Sequence, residues 1–159
     1  MKRFMPYFIL AIVALIIGNY FFAPKEIFFK NQCKLQAKGS CTLDHQDYRL
    51  IFTLSPLPIS PLEPLHYEAQ FIDLQENKKI TEATVTLRIL GHDMTMPEEL
   101  LFPLVNGEDS KTSFEATKTF PTCTEKLMIW RLYLTATLPD STILKTTFDL
   151  QVVKPKLKI

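Results

Sequence analysis

The sequence lacks every familiar catalytic spacing: no Gly-x-Ser-x-Gly elbow, His-Glu-x-x-His helix or phosphate loop accompanies its three histidines. The adjacent carboxylates Glu98 and Glu99 would point apart in an extended chain, which makes them poor acid and base partners. An enzyme is therefore not expected. Surplus charge is also missing. A formal net charge of +1 argues against nucleic acid, which needs a basic patch to neutralise phosphates. The cluster Lys154, Lys156 and Lys158 reads as a solvated tail. From Lys30 onward no sustained helical period occurs.

What is present begins at the first residue. Met1, Lys2 and Arg3 precede an apolar run from Phe4 to Ala23, closed by Pro24 and Lys25. About 20 such residues, at roughly 1.5 Å each, match the ~30 Å hydrocarbon core of a bilayer. The run exceeds the about 7 to 15 apolar residues of a secretory leader. No small-x-small cleavage site follows it, only Tyr20-Phe-Phe-Ala-Pro24. Residues 1–25 are accordingly predicted to be an uncleaved transmembrane helix, contacting the lipid bilayer through residues 4–23, with residues 26–159 as one folded domain. Lys2 and Arg3 favour a cytoplasmic amino terminus, although Lys25 and Lys30 blur the asymmetry. The expectation is a single-pass protein of the inner (cytoplasmic) membrane of a Gram-negative-type envelope, its C-terminal domain in the periplasm. Tyr20, Phe21, Phe22, Phe28 and Phe29 read as an aromatic belt at the outer interface, with packing on the domain as the alternative for some of them.

An oxidising compartment gives the three cysteines meaning. Cys33 and Cys41 flank a Lys38-Gly-Ser40 turn at a spacing that a two-stranded ribbon brings within bridging distance, so a disulfide between them is predicted. The alternatives pair Cys123 with one or the other. Each leaves one thiol over.

The remainder alternates with period two. Tyr48, Leu50, Phe52 and Leu54 share one face; so do Leu65, Tyr67, Ala69 and Phe71, and Ala83, Val85, Leu87 and Ile89. Later stretches repeat the pattern at Phe114 and Ala116, at Met128 through Ala136, and at Leu144 through Val152. With a first strand at Cys33 to Ala37 and a short one at Leu100 to Val105, the prediction is an all-β, immunoglobulin-like two-sheet sandwich of seven or eight strands. Trp130 follows Cys123 within such a strand, but the cysteine spacing does not match the inter-sheet bridge of immunoglobulins. Prolines 56, 58, 61 and 64 predict an extended crossover between sheets. Pro58-Ile-Ser-Pro61 also has PxxP spacing, whose readers are chiefly cytoplasmic.

One short stretch carries a specific chemistry. His92, Met94 and Met96 alternate directly after the strand that ends at Leu90 and Gly91. In an extended chain, residues two apart point the same way, so an imidazole and two thioethers converge. Soft thioether and thiolate donors favour copper(I), imidazole also accepts copper(II), and the set suits neither calcium nor magnesium nor zinc. The plainer alternative is that both methionines fill gaps at the end of a sandwich. Cys123 joins the ligand set if its loop lies at the same end; otherwise it is a small buried hydrophobe or half of a disulfide. His45, between Asp44 and Asp47, reads as a solvated turn residue, and His66 as exposed on the polar side of a strand.

A membrane helix followed by a small sandwich with a Met-bearing loop resembles the FixH and YtkA-like proteins. The likeness is carried by Ala83-Thr-Val-Thr-Leu87 leading into Met94-Thr-Met-Pro97. It implies a non-catalytic role in extracytoplasmic copper handling, beside a membrane oxidase or a metallochaperone. The competing function is a metal-free interaction module that docks on an envelope complex.

Overall fold

The computed structural model describes residues 12–13, 24–30, 32–60, 63–91, 100–107, 111–119 and 127–153. His92, Met94, Met96 and Cys123 lie outside the described residues. So does the apolar run, except for Ile12 and Val13, which are helical and exposed.

Ten strands form among the described residues, against the seven or eight that alternation predicts. They are β1 (Glu26–Phe28), β2 (Ser40–His45), β3 (Tyr48–Ser55), β4 (Pro64–Asp73), β5 (Lys78–Ile80), β6 (Thr84–Gly91), β7 (Leu100–Asn106), β8 (Phe114–Thr119), β9 (Leu127–Thr137) and β10 (Ile143–Val153). A single helical turn, α1 (Leu35–Lys38), interrupts them. The strands run in the order β1-β10-β9-β6-β7-β8-β4-β3-β2, with β5 paired to β4. They divide into a β1-β10-β9-β6-β7 layer and a β8-β4-β3-β2 layer. Among the described residues, the one backbone ladder between the layers is where Val105 meets Glu115 and Asn106 meets Phe114. The result is an all-β, nearly closed sandwich.

The alternation works as read. Leu50, Phe52 and Leu54, Leu65 through Phe71, Val85 through Ile89, Trp130 through Ala136, and Leu144 through Val152 all turn their alternate side chains into one core. Phe52 of β3 stacks on Phe148 of β10 with ring centres 4.8 Å apart, and Tyr67 of β4 meets Phe102 of β7 edge-on at 5.4 Å. Both contacts cross from one layer to the other, where aromatic pairs add specific geometry to area burial. Thr146 is the polar member of the β10 row, and its hydroxyl is satisfied by donating to the Phe29 carbonyl at 3.2 Å.

Two readings are corrected. Residues 33–37 are not a strand: of Cys33, Leu35 and Ala37, only Leu35 is fully buried, as the inward residue of α1. The turn ends at Gly39, whose φ of 71° is left-handed and whose N–H donates to the Leu35 carbonyl at 2.8 Å. The proline-rich stretch is not a crossover between sheets. Its flanking strands β3 and β4 are antiparallel neighbours, with Ser55 opposite His66, so it is a long hairpin connection within one layer. It contains cis bonds at Ser55-Pro56 and Leu57-Pro58.

Tyr67 is wholly buried and, among the described residues, its hydroxyl has no hydrogen-bond partner, a costly arrangement that burial also expresses by raising its pKa. Tyr67→Phe, which removes only that oxygen, is therefore expected to leave unfolding free energy unchanged or increase it. Phe148→Ala is expected to lower it by about 3–5 kcal/mol. Urea denaturation of the two variants checks both signs.

Candidate functional site

The two ends of the sandwich have different content. At one end the chain joins the sheet: the Ile143 N–H donates to the Lys25 carbonyl at 2.8 Å and β1 runs parallel to β10 from Glu26 opposite Ile143. At the other end β6 finishes at Gly91 directly opposite Trp130 of β9, and β9 begins three residues earlier at Leu127. Paired residues on neighbouring antiparallel strands lie about 4.5–5.5 Å apart. The segments 92–99 and 120–126 therefore spring from adjacent strands at the same end. The candidate ligands themselves lie outside the described residues, but the roots of the loops that carry them are brought together. Among the described residues no three His, Cys, Asp or Glu side chains gather on one point, and no helix is long and apolar enough to cross a membrane.

The Cys33–Cys41 disulfide is formed, with Cα atoms 5.9 Å apart. It is not the cross-link of a ribbon. Cys41 lies in β2, the edge of one layer, and Cys33 in the segment that climbs along β10, the far side of the other. The bond thus spans the seam that the β7–β8 ladder leaves open. Gln36 reinforces it from α1, its amide oxygen accepting from the Gln151 N–H at 2.9 Å and its amide nitrogen donating to the Gln151 carbonyl. A side chain here imitates a neighbouring strand.

His45 is not a solvated turn residue. Its ring meets Phe29 edge-on at 6.1 Å and its Nδ1 is buried, without a partner among the described residues. The polar neighbours in sequence conceal a contact made from sixteen residues upstream. His66 does lie on the outward side of β4, half-exposed, with Nδ1 3.2 Å from the Thr117 hydroxyl and Nε2 3.8 Å from Glu115.

Sequence reasoning missed a groove of about 930 Å³ beside the disulfide, between the 28–37 segment and β10. Phe28, Lys30, Lys34, Ile129 and Thr147 line it. The available signal was the alternation of Ile27, Phe28 and Phe29, which puts Ile27 and Phe29 in the core and Phe28 outside. A second groove on the other side of Cys33 includes Asp44, whose carboxyl is held below its ordinary value of 3.8 by the Arg49 guanidinium donating to it at 2.7 and 2.9 Å.

No family model and no curated protein matches the chain. Among solved structures it is similar to a DUF4426 family protein of Pseudomonas aeruginosa, at 10% identity and a TM-score of 0.50, over 75% of this chain and 98% of that one. It is also similar to a DUF4848 family protein of Bacteroides thetaiotaomicron, at 9% identity and a TM-score of 0.35, over 70% of this chain and 44% of that one. At such identity the first likeness is one of fold alone, and the second carries no argument.

Two outcomes test this geometry. Replacing both Cys33 and Cys41 by Ser frees the seam and is expected to cost roughly 2–3 kcal/mol of unfolding free energy, from the loop-closure entropy of a short ring. Calorimetry under oxidising conditions measures it. A lowered carboxylate pKa means that the Asp44–Arg49 pair contributes above the ordinary Asp value and that this contribution fades as pH falls through the lower folded value. Asp44→Asn should thus slightly lower the urea midpoint at neutral pH, the pair being exposed, and leave it unchanged in strong acid.

Proposed function

We propose that the protein is a membrane-anchored, extracytoplasmic copper-binding accessory protein. In this reading residues 4–23 cross the inner membrane and the sandwich stands in the periplasm. His92, Met94 and Met96, with Cys123, hold copper(I) for delivery to a membrane oxidase or a metallochaperone. The observation that carries it is the pairing of Gly91 with Trp130, which roots the His/Met loop and the Cys123 loop on adjacent strands at one end of one layer. The Cys33–Cys41 bond supports it, because Cys123 is then the thiol outside the bridge in a chain with three cysteines. Two thioethers, an imidazole and a thiolate are a soft donor set that suits copper(I).

The strand order supports an immunoglobulin-like assignment. With β6, β9 and β10 in the positions of strands C, F and G, β7 takes the place of C′, and β4 beside β8 takes those of B and E. Trp130 then lies on strand F and not on strand C, where immunoglobulins carry theirs. The resemblance to FixH and YtkA-like proteins implies the same kind of anchored, non-catalytic sandwich.

A second reading, a metal-free module that docks on an envelope complex, is favoured by one feature. Leu101 and Val105, each 62% exposed, flank Pro103 in an outward apolar row on β7.

The test is copper(I) competition against a chromophoric chelator, with the full chain in detergent. The wild type is expected to bind one equivalent. Met94→Leu with Met96→Leu, which conserves volume, is expected to weaken binding by roughly tenfold or more. Unchanged affinity in that double variant rejects the site, and absence of stoichiometric binding in the wild type hands the case to the docking module.

A further inference from the structure

Phe28 and Phe29 are neighbours with opposite placements. Phe29 is fully buried behind β1, whereas Phe28 is 55% exposed and turned onto the groove along β10. The charges around that groove are unbalanced. Asp149 on its β10 side is gripped by Arg131 through two hydrogen bonds of 2.7 and 3.0 Å, and Glu26 by Lys145 at 2.7 Å. The carboxylates are thus answered within the fold. Lys25, Lys30 and Lys34 are exposed and, among the described residues, carry no ion pair. Lys30 and Lys34 also line the groove.

The arrangement is directional. Phe28 sits opposite Lys145 and Gln36 bonds to Gln151, so Lys30 and Lys34 are spread between these points along one side of β10. Six residues of strand cover about 20 Å. Phe28 is five residues past Ala23, the end of the apolar run, a reach of at most about 17 Å. An outward aromatic ring followed by spaced, unanswered cations fits a surface that is apolar beneath and anionic at its face.

From this we infer that the β1–β10 side of the domain is seated on an anionic phospholipid bilayer. The Phe28 ring enters the acyl boundary, and Lys25, Lys30 and Lys34 meet the lipid phosphates. The inference rests on the anchor reading of residues 4–23, which supplies the high local lipid concentration that lets a few weak contacts suffice. It adds an orientation. With the anchor alone, the domain could stand upright, and β10, eleven residues long, would hold the strand ends at Gly91 and Leu127 roughly 36 Å above the chain's point of attachment. Seated on this side, the domain lies down and those strand ends come to the level of the headgroups.

The test places the full chain in nanodiscs whose lipids are brominated on the acyl chains, with or without phosphatidylglycerol, and reads tryptophan quenching. Trp130, the only native tryptophan, is buried and gives the background. Phe28→Trp reports the ring, and Gln32→Trp reports the groove farther from the anchor. Both are expected to be quenched above background in anionic discs, and Lys30→Glu with Lys34→Glu should roughly halve the Gln32→Trp signal. Quenching at position 28 alone overturns the seated orientation, and quenching that survives charge reversal overturns the phosphate contacts. Full chain that fails to co-elute with the discs overturns the anchor reading itself, a result separate from chain that co-elutes without quenching. Unchanged near-ultraviolet circular dichroism confirms that the variants are folded.

Discussion

The structure depends on how its open seam is shut. A two-layer sandwich has two sides along which its layers meet, and among the described residues only one is crossed by a hydrogen-bonded ladder, the short pairing of Val105 and Asn106 with Glu115 and Phe114. The other side faces β2 toward β10, two strands whose outer groups would otherwise invite pairing with a foreign chain. Residues 29–30 and 32–39 occupy that gap. Leu35 fills the core beneath it, Gln36 takes the Gln151 backbone, Gly39 accepts from the Leu54 N–H at 2.7 Å, and Cys33 is covalently tied to Cys41. Apolar burial, backbone satisfaction and a covalent restraint act on one segment, and each compensates for its shortness.

This closure separates the molecule into regions with different chemistry. The soft donors of the proposed copper site belong to loops rooted where β6 and β9 end and begin, away from the point at which the chain joins β10. The cationic segment runs along the side between these two ends. The proposed metal ligands and the proposed lipid contacts use different residues, and the core contacts of Phe52 with Phe148 and Tyr67 with Phe102 hold the two layers in register between them.

Much of this was legible in the sequence, for identifiable reasons. Long strands such as β9 and β10 bury every second side chain, so four buried apolar residues in each record the period. β1 and β5, at three residues each, bury too little to leave a period, and they went unseen. Residues 33–37 read as a strand because Cys33, Leu35 and Ala37 mimic alternation, although Cys33 is fixed by a disulfide and Ala37 faces outward from α1. The cysteine pair could be read from spacing because its ring is short. His45 could not, since its surroundings come from Phe29, across the fold. The prolines mark a connection without ladder donors, but the crossover between sheets expected from them is wrong, since Ser55 pairs with His66 within one layer.

The parallel pairing of β1 with β10 joins Glu26 to Ile143, nearly the whole length of the domain apart in sequence. Such a contact closes a very long loop, and it cannot form until the last strand exists. A ribosome releasing this chain from its amino terminus produces the first strand early and its partner last. The nascent polypeptide therefore stays unsealed until β10 emerges, and the Cys33–Cys41 bond, whose partners appear early, is free to form before that seal.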